Sequence, residues 1–306
     1  MKFTREADFR QERDFGAKVG ATFEFLAAHW RPLGKCVLYF VVPPALLMGV
    51  AMGLAQTQVL GLPGKSPVTQ AEQLARLGNL SSLGATYWLG LLAMLISYVL
   101  LGATVYGYVR VQLALPLGQD VTPRLVWEQV RRLAPRLLLS TFVVSVLCVL
   151  GCALLLVPGI YLGVALSMVW VIQVFESQGL STTLSRNLTL VRGKWWSTLG
   201  LTFVMSLVIG MLGLVLQLPQ YVAMFGKVLH WSWLGSDVLL LVSNILSSVG
   251  QMVLYTPLLV ALMFQYFNLV ERKEGLGLRS LVDSLGNGPA PVAHNAAYRP
   301  DDEGEY

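Results

Sequence analysis

The sequence predicts an all-α membrane protein with six transmembrane helices in three hairpins. Each hairpin is preceded by a cytoplasmic amphipathic helix lying in the interface. Three observations predict this: long runs without charge, a lopsided distribution of basic residues, and three apolar stripes between those runs. Residues 36–64, 77–109, 137–175, 195–226 and 238–270 contain no Asp, Glu, Lys or Arg, and each run is at least 29 residues long. About 20 apolar residues suffice to cross a hydrocarbon core. The whole chain is 55% hydrophobic and 13% charged, with mean hydropathy +0.62. Soluble domains run near 25% charged.

The first 14 residues carry eight charges, and the first apolar run starts only at Cys36. A secretory signal would place its apolar core sooner. The first span is therefore expected to double as the insertion signal. Spans are placed at about 36–56, 87–108, 137–156, 160–178, 198–218 and 238–268. The third and fourth share one charge-free run of 39 residues, broken at Val157-Pro158-Gly159. At 1.5 Å per residue that run is barely enough to cross twice, so a re-entrant hairpin is the alternative there. Pro43-Pro44 and Pro257 are expected to kink the first and sixth spans. Gly49 and Gly53 form a GxxxG pair suited to close helix packing within the chain.

With these spans, 19 of the 22 Lys and Arg residues fall on one side, and only Lys65, Arg76 and Lys227 on the other. Cytoplasmic loops are the basic ones. Both termini are accordingly placed in the cytoplasm, and the net charge of +5 is assigned to topology, with no nucleic-acid partner. Residues 1–35 form a cytoplasmic arm and interfacial helix, 36–270 the membrane domain, and 271–306 a cytoplasmic tail whose last twenty residues read as disordered.

The stripes are Phe15, Val19, Phe23, Leu26 and Trp30; then Val126, Val130, Leu133 and Leu137; then Leu180, Leu184, Leu188, Val191 and Trp195. Lys18 and Glu24 lie off the first. A stripe of this kind beside basic residues is how an interfacial helix looks, and packing against the ends of the bundle is compatible with it. Arg131, Arg132, Arg192 and Lys194 are the candidate contacts for anionic membrane lipid. The stripes also suggest a repeat. Residues 130–158 and 191–219 match at nine of 29 positions, including Thr141/Thr202, Phe142/Phe203 and Pro158/Pro219.

No catalytic constellation emerges. The three histidines share no motif, and HExxH, GxSxG, GxxxxGK and CxxC are all missing. Cys36, Cys148 and Cys152 lie in apolar sequence and read as packing residues. Neither a metal nor a cofactor is expected. The spans hold no ionisable acid or base, which transporters and channels ordinarily carry because charge in hydrocarbon persists only for function. The candidate intramembrane polar face is Asn244 with Gln251, seven residues apart on one helix face and read as interhelical hydrogen bonding.

Val157-Pro158-Gly159-Ile160-Tyr161-Leu162, followed by Val191-Arg192-Gly193-Lys194-Trp195 closing an amphipathic helix, resembles a bacterial family of six-span membrane proteins. That family, of unknown function, is related to the membrane domain of glycerophosphoryl diester phosphodiesterases. The likeness covers about 150–215 closely and the rest by architecture. The ending Tyr266–Glu274 looks like Bacteroidota members. The resemblance implies a multi-pass protein of the bacterial inner membrane. The catalytic barrel of the phosphodiesterases, with its His-Arg and Glu-x-Asp groups, is absent, so diesterase activity does not carry over. The leading expectation is a non-enzymatic scaffold or accessory for partner membrane proteins. The alternative is a carrier of lipid or another amphiphile, which a water-lined groove near Asn244 and Gln251 would favour and a closed bundle would not.

Overall fold

A computed structural model describes residues 3, 6–60, 84–116, 119–229, 231 and 233–275. Among them there is no strand, and ten helices carry the chain: α1 (Glu6–Phe9), α2 (Phe15–Phe40), α3 (Val42–Leu60), α4 (Ala85–Ala114), α5 (Pro123–Leu154), α6 (Leu156–Ala165), α7 (Val169–Phe175), α8 (Leu180–Val191), α9 (Trp195–Val228) and α10 (Asp237–Glu274). Five segments are long and apolar enough to cross a membrane: α4, α5, α6 with α7, α9 and α10. A sixth arises if α2 and α3 count as one bent unit. The tail beyond 275, most of the 57–86 segment and His230 lie outside the described residues.

Helix neighbours follow a circuit. α9 packs on α10, α10 on α3, α3 on α4, α4 on α5 and α5 on α6, which returns to α9. α2 lies across the ends of α4, α9 and α10, through Phe25 against Phe264, Lys18 against Ser197 and Gln265, and His29 against Gln112. The core sits directly over α2. Every residue of α10 from Leu258 to Glu271 is buried, and so is every residue of α4 from Leu101 to Val109. A helix that is buried all round belongs at the centre of a large assembly. The two meet where Tyr106 Oη donates to Leu259 O at 3.1 Å.

Small residues set the close approaches. A Cβ on Gly49 would stand 2.6 Å from Ile245 Cα, and one on Gly53 2.8 Å from the Leu241 side chain. The GxxxG pair thus joins α3 to α10 within the chain. By contrast, the most apolar windows of α5 and α9 are only 17% and 22% buried. Phe142, Phe203, Met211 and Val215 are all more than 60% exposed. Soluble monomers do not leave apolar patches of this extent open to water. Lipid is the solvent that fits them.

Several boundaries differ from the sequence reading. No helix begins at Cys36. α2 runs unbroken through Pro32 to Phe40, and the chain bends by 51° at the α2–α3 junction, just ahead of Pro43-Pro44. Paired prolines withhold two backbone donors, so the carbonyls of Tyr39 and Phe40 receive no helical bond across the bend. The second stripe is not a separate helix, because α5 carries it straight into the third span. At the corresponding place between α8 and α9 the chain does break, at Gly193, with φ +80. Arg132 stands 61 residues earlier, at the position that the sequence alignment pairs with Gly193, and a side chain there favours continuing the helix. The turn at Val157–Gly159 lies earlier, at Leu155, and Pro158 falls inside the first turn of α6. The fourth span is divided by a turn at 166–168. The fifth passes through Pro219 to Val228, so much of the 219–237 segment is helix.

Candidate functional site at the basic end

The buried faces of α2 and α8 invert the expected pattern. Phe15, Phe23 and Trp30 are exposed, whereas Lys18, Thr22, Phe25 and His29 are buried. In α8, Leu188 is exposed and Thr183 and Asn187 are fully buried. Only the second stripe faces inward, with Val126, Val130, Leu133 and Leu137 all under 5% exposed. Leu33 and Cys36 of α2 and Leu190 and Val191 of α8 are buried beside them, so each helix turns a mixed polar and apolar face inward.

Beneath α2 the polar groups are joined to one another. Lys18, 2% exposed, donates from Nζ to Gln265 Oε1 at 2.7 Å and to Ser197 Oγ at 3.3 Å. Gln265 Nε2 in turn donates to Thr198 Oγ1 at 3.0 Å. Among the described residues no carboxylate touches the ammonium. Burial lowers the Lys18 pKa and Arg272 lowers it further, while Asp14 opposes both. Arg13 donates its backbone N–H to Asn268 Oδ1 at 2.8 Å and sets its guanidinium 5.0 Å from the Phe264 ring centre. Phe264 belongs to an aromatic cluster with Phe3, Phe9 and Phe25, their ring centres 5.5–6.2 Å apart.

His29 closes the other end of the layer. Its Nδ1 lies 3.1 Å from Phe25 O, and its Nε2 2.9 Å from Gln112 Nε2. With the Gln112 amide in this orientation Nε2 of the ring accepts, which calls for the neutral ring with its proton on Nδ1. Burial holds its pKa below the ordinary 6.5. At the rim, Arg186 bridges Glu176 at 3.2 Å and Glu274, and Tyr266 Oη donates to Glu176 at 3.0 Å. Burial works against the Arg186 charge, but its bonds to Glu274 and Glu176 outweigh that and raise its pKa.

The intramembrane candidates do not converge. Asn244 is buried and donates to Gln56 Oε1 at 3.0 Å and Leu240 O at 2.9 Å, against α3. Gln251 faces α9, its Oε1 buried without a partner and 3.1 Å from where a Cβ on Gly213 would stand. The α3–α10 and α9–α10 contacts pack each amide against a neighbouring helix. Arg131, Arg132, Arg192 and Lys194 are exposed, and among the described residues none of their side chains forms a hydrogen bond or ion pair, although Lys273 Nζ donates to Arg192 O. Among the described residues no group of three or more His, Cys, Asp or Glu could hold a metal ion.

The sequence reading missed Lys18, Gln265, Asn268 and His29 as a layer. The only signal was that Lys18 and His29 sit one helical face away from the α2 stripe. An open apolar cleft of about 550 Å³ lies where α2 bends into α3, lined by Tyr39, Phe40, Pro43, Pro123, Arg124 and Trp127.

Among the described residues, fold and layer together define an all-helical protein with helices long and apolar enough to span a membrane and a buried polar-aromatic layer at one end. No protein-family model, curated protein or solved structure matches it.

Proposed function

We propose that this is a non-enzymatic, multi-pass protein of the bacterial inner membrane that scaffolds or assists partner membrane proteins. The basic end is assigned to the cytoplasm, from the distribution of Lys and Arg. The observation that carries the reading is the pairing of packed intramembrane amides with open apolar flanks. Asn244 and Gln251 are packed against neighbouring helices, and the basic end is stoppered by the Phe3–Phe9–Phe25–Phe264 cluster. Meanwhile α5 and α9 leave most of their apolar faces uncovered. A packed bundle with exposed flanks is suited to lateral contacts. The shared Pro-Gly-Ile-Tyr-Leu and Val-Arg-Gly-x-Trp segments support kinship with the six-span family.

A carrier of lipid or another amphiphile is the second reading. The cleft between the α2–α3 bend and α5 favours it, because aromatic and proline walls with Arg124 at the edge fit an amphiphile. Mass spectrometry of everything retained in native lipid discs separates the two. A stoichiometric protein partner supports the scaffold. One enriched lipid without a protein partner overturns it in favour of the carrier.

A further inference from the structure

The α5–α6 pair is a tight hairpin. Leu155 alone separates the helices, and a Cβ on Gly151 would stand 3.1 Å from Gly159 Cα. Leu154, Leu155, Leu156 and Val157 at the tip are 68–80% exposed, and no charged residue occurs between 137 and 175. A loop that emerged into water would have little reason to present four consecutive large apolar side chains.

The position of the tip follows from one contact. Trp195 Nε1 donates to Tyr161 O at 3.2 Å, and the two rings stack at 5.6 Å. Trp195 is the first residue of α9, directly after Arg192, Gly193 and Lys194, and so marks the basic boundary. Tyr161 is six residues from the tip, about 9 Å of helix at 1.5 Å per residue. That length plus the reach of one tryptophan side chain falls well short of a core about 30 Å thick. α9 itself, with 34 residues, extends about 51 Å from the same starting level. Because Gly151 touches Gly159, the end of α5 is held at the same shallow depth, and α5 runs obliquely.

The backbone at the turn suits such a place. Unpaired backbone groups are costly in hydrocarbon. Leu155 N–H donates to Gly151 O at 3.1 Å, and Leu155 O accepts from Gly159 N–H at 3.5 Å. Pro158 removes one of the N–H groups that the first turn of a helix leaves open.

We propose that α5–α6 is a re-entrant hairpin that turns within the hydrocarbon of the leaflet at the basic end, with the acyl chains of that leaflet as the partner of its exposed face. This rests on the membrane reading above, and on no assignment of which side is the cytoplasm. It would place protein volume in one leaflet without a counterpart in the other.

The test is nitroxide labelling of Leu155→Cys in a Cys36→Ala, Cys148→Ala, Cys152→Ala background in phospholipid nanodiscs, with Val157→Cys as a second site. Relaxation enhancement by oxygen and by a water-soluble nickel chelate is compared with a label at Phe203→Cys, on the exposed face of α9. The expected result is an oxygen-to-nickel ratio at 155 matching that at 203. Spin–spin distances from 155 should be shorter to Trp196→Cys than to Trp233→Cys. A nickel-accessible 155 beside an oxygen-accessible 203 places the tip in water and overturns the proposal alone. A shorter distance to 233 overturns it likewise. A label at 155 shielded from both reagents means that protein covers the tip, and also overturns it. Nickel access at 203 as well overturns the membrane reading itself.

Discussion

Lys18 Nζ stands 2.7 Å from Gln265 Oε1, joining two residues 247 positions apart, with no carboxylate in contact among the described residues. An ammonium held by an amide and a hydroxyl depends on those acceptors. Losing one leaves a buried charge under-solvated, which costs about 1–3 kcal/mol or more. Gln265→Leu is therefore expected to lower thermal stability in detergent clearly. Lys18→Met removes the charge with its demand and keeps the stem, so it should cost less. Equal losses for the two variants would mean that the ammonium gains nothing from Gln265.

The α3–α10 contact predicts an asymmetry within the GxxxG pair. A methyl at Gly49 meets the Ile245 backbone at 2.6 Å, whereas at Gly53 the nearest atom, at 2.8 Å, is the end of the Leu241 side chain. A side chain can rotate away and a helix backbone cannot. Gly49→Ala should cost about 1–3 kcal/mol, the range for overpacking, and Gly53→Ala less. Chemical unfolding of both variants in mixed micelles checks the order.

The His29 ring predicts a loss of stability on acidification. Its pKa is depressed in the folded protein, so between that value and the ordinary 6.5 the unfolded chain binds more protons than the folded one. Stability therefore rises with pH in that interval, and falls as pH drops through 6.5 toward the folded value. Protonation would also set a second N–H against the Gln112 amide nitrogen. Thermal melts from pH 7.5 down to 5 should show the decline, and His29→Gln should flatten it.

The side chains of Arg131, Arg132, Arg192 and Lys194 are exposed, and among the described residues none of them forms a hydrogen bond or ion pair. Basic residues beside an anionic membrane surface contribute roughly 1 kcal/mol each. Replacing all four with Gln should weaken the preference for anionic over zwitterionic lipid, read by native mass spectrometry of retained lipid. An unchanged preference would remove these residues as lipid contacts.

Much of the candidate layer was present in the sequence only as exceptions. Lys18 and His29 interrupt no stripe and match no motif, and Gln265 and Asn268 look like isolated amides in an apolar run. What makes them a layer is that α2 crosses the ends of α4, α9 and α10, a long-range contact that local spacing does not encode. The same holds for Asn244 and Gln251. Their seven-residue interval places them on one stripe of α10, but crossing helices give the first to α3 and the second to α9.

The sequence by itself determined that the chain is helical, where charge stops, and therefore which segments are long and apolar enough to cross a membrane. Charge and hydropathy act on each residue alone, and their cost in hydrocarbon is large enough to be read without a structure. The tertiary structure decided which face of each amphipathic helix turns inward, where the helices break, and how closely α5 pairs with α6. Those outcomes depend on which neighbour offers a partner, such as Gln265 for Lys18 or Trp195 for Tyr161. In an apolar solvent the hydrophobic effect does not choose between the faces of a helix, so packing and hydrogen bonding do.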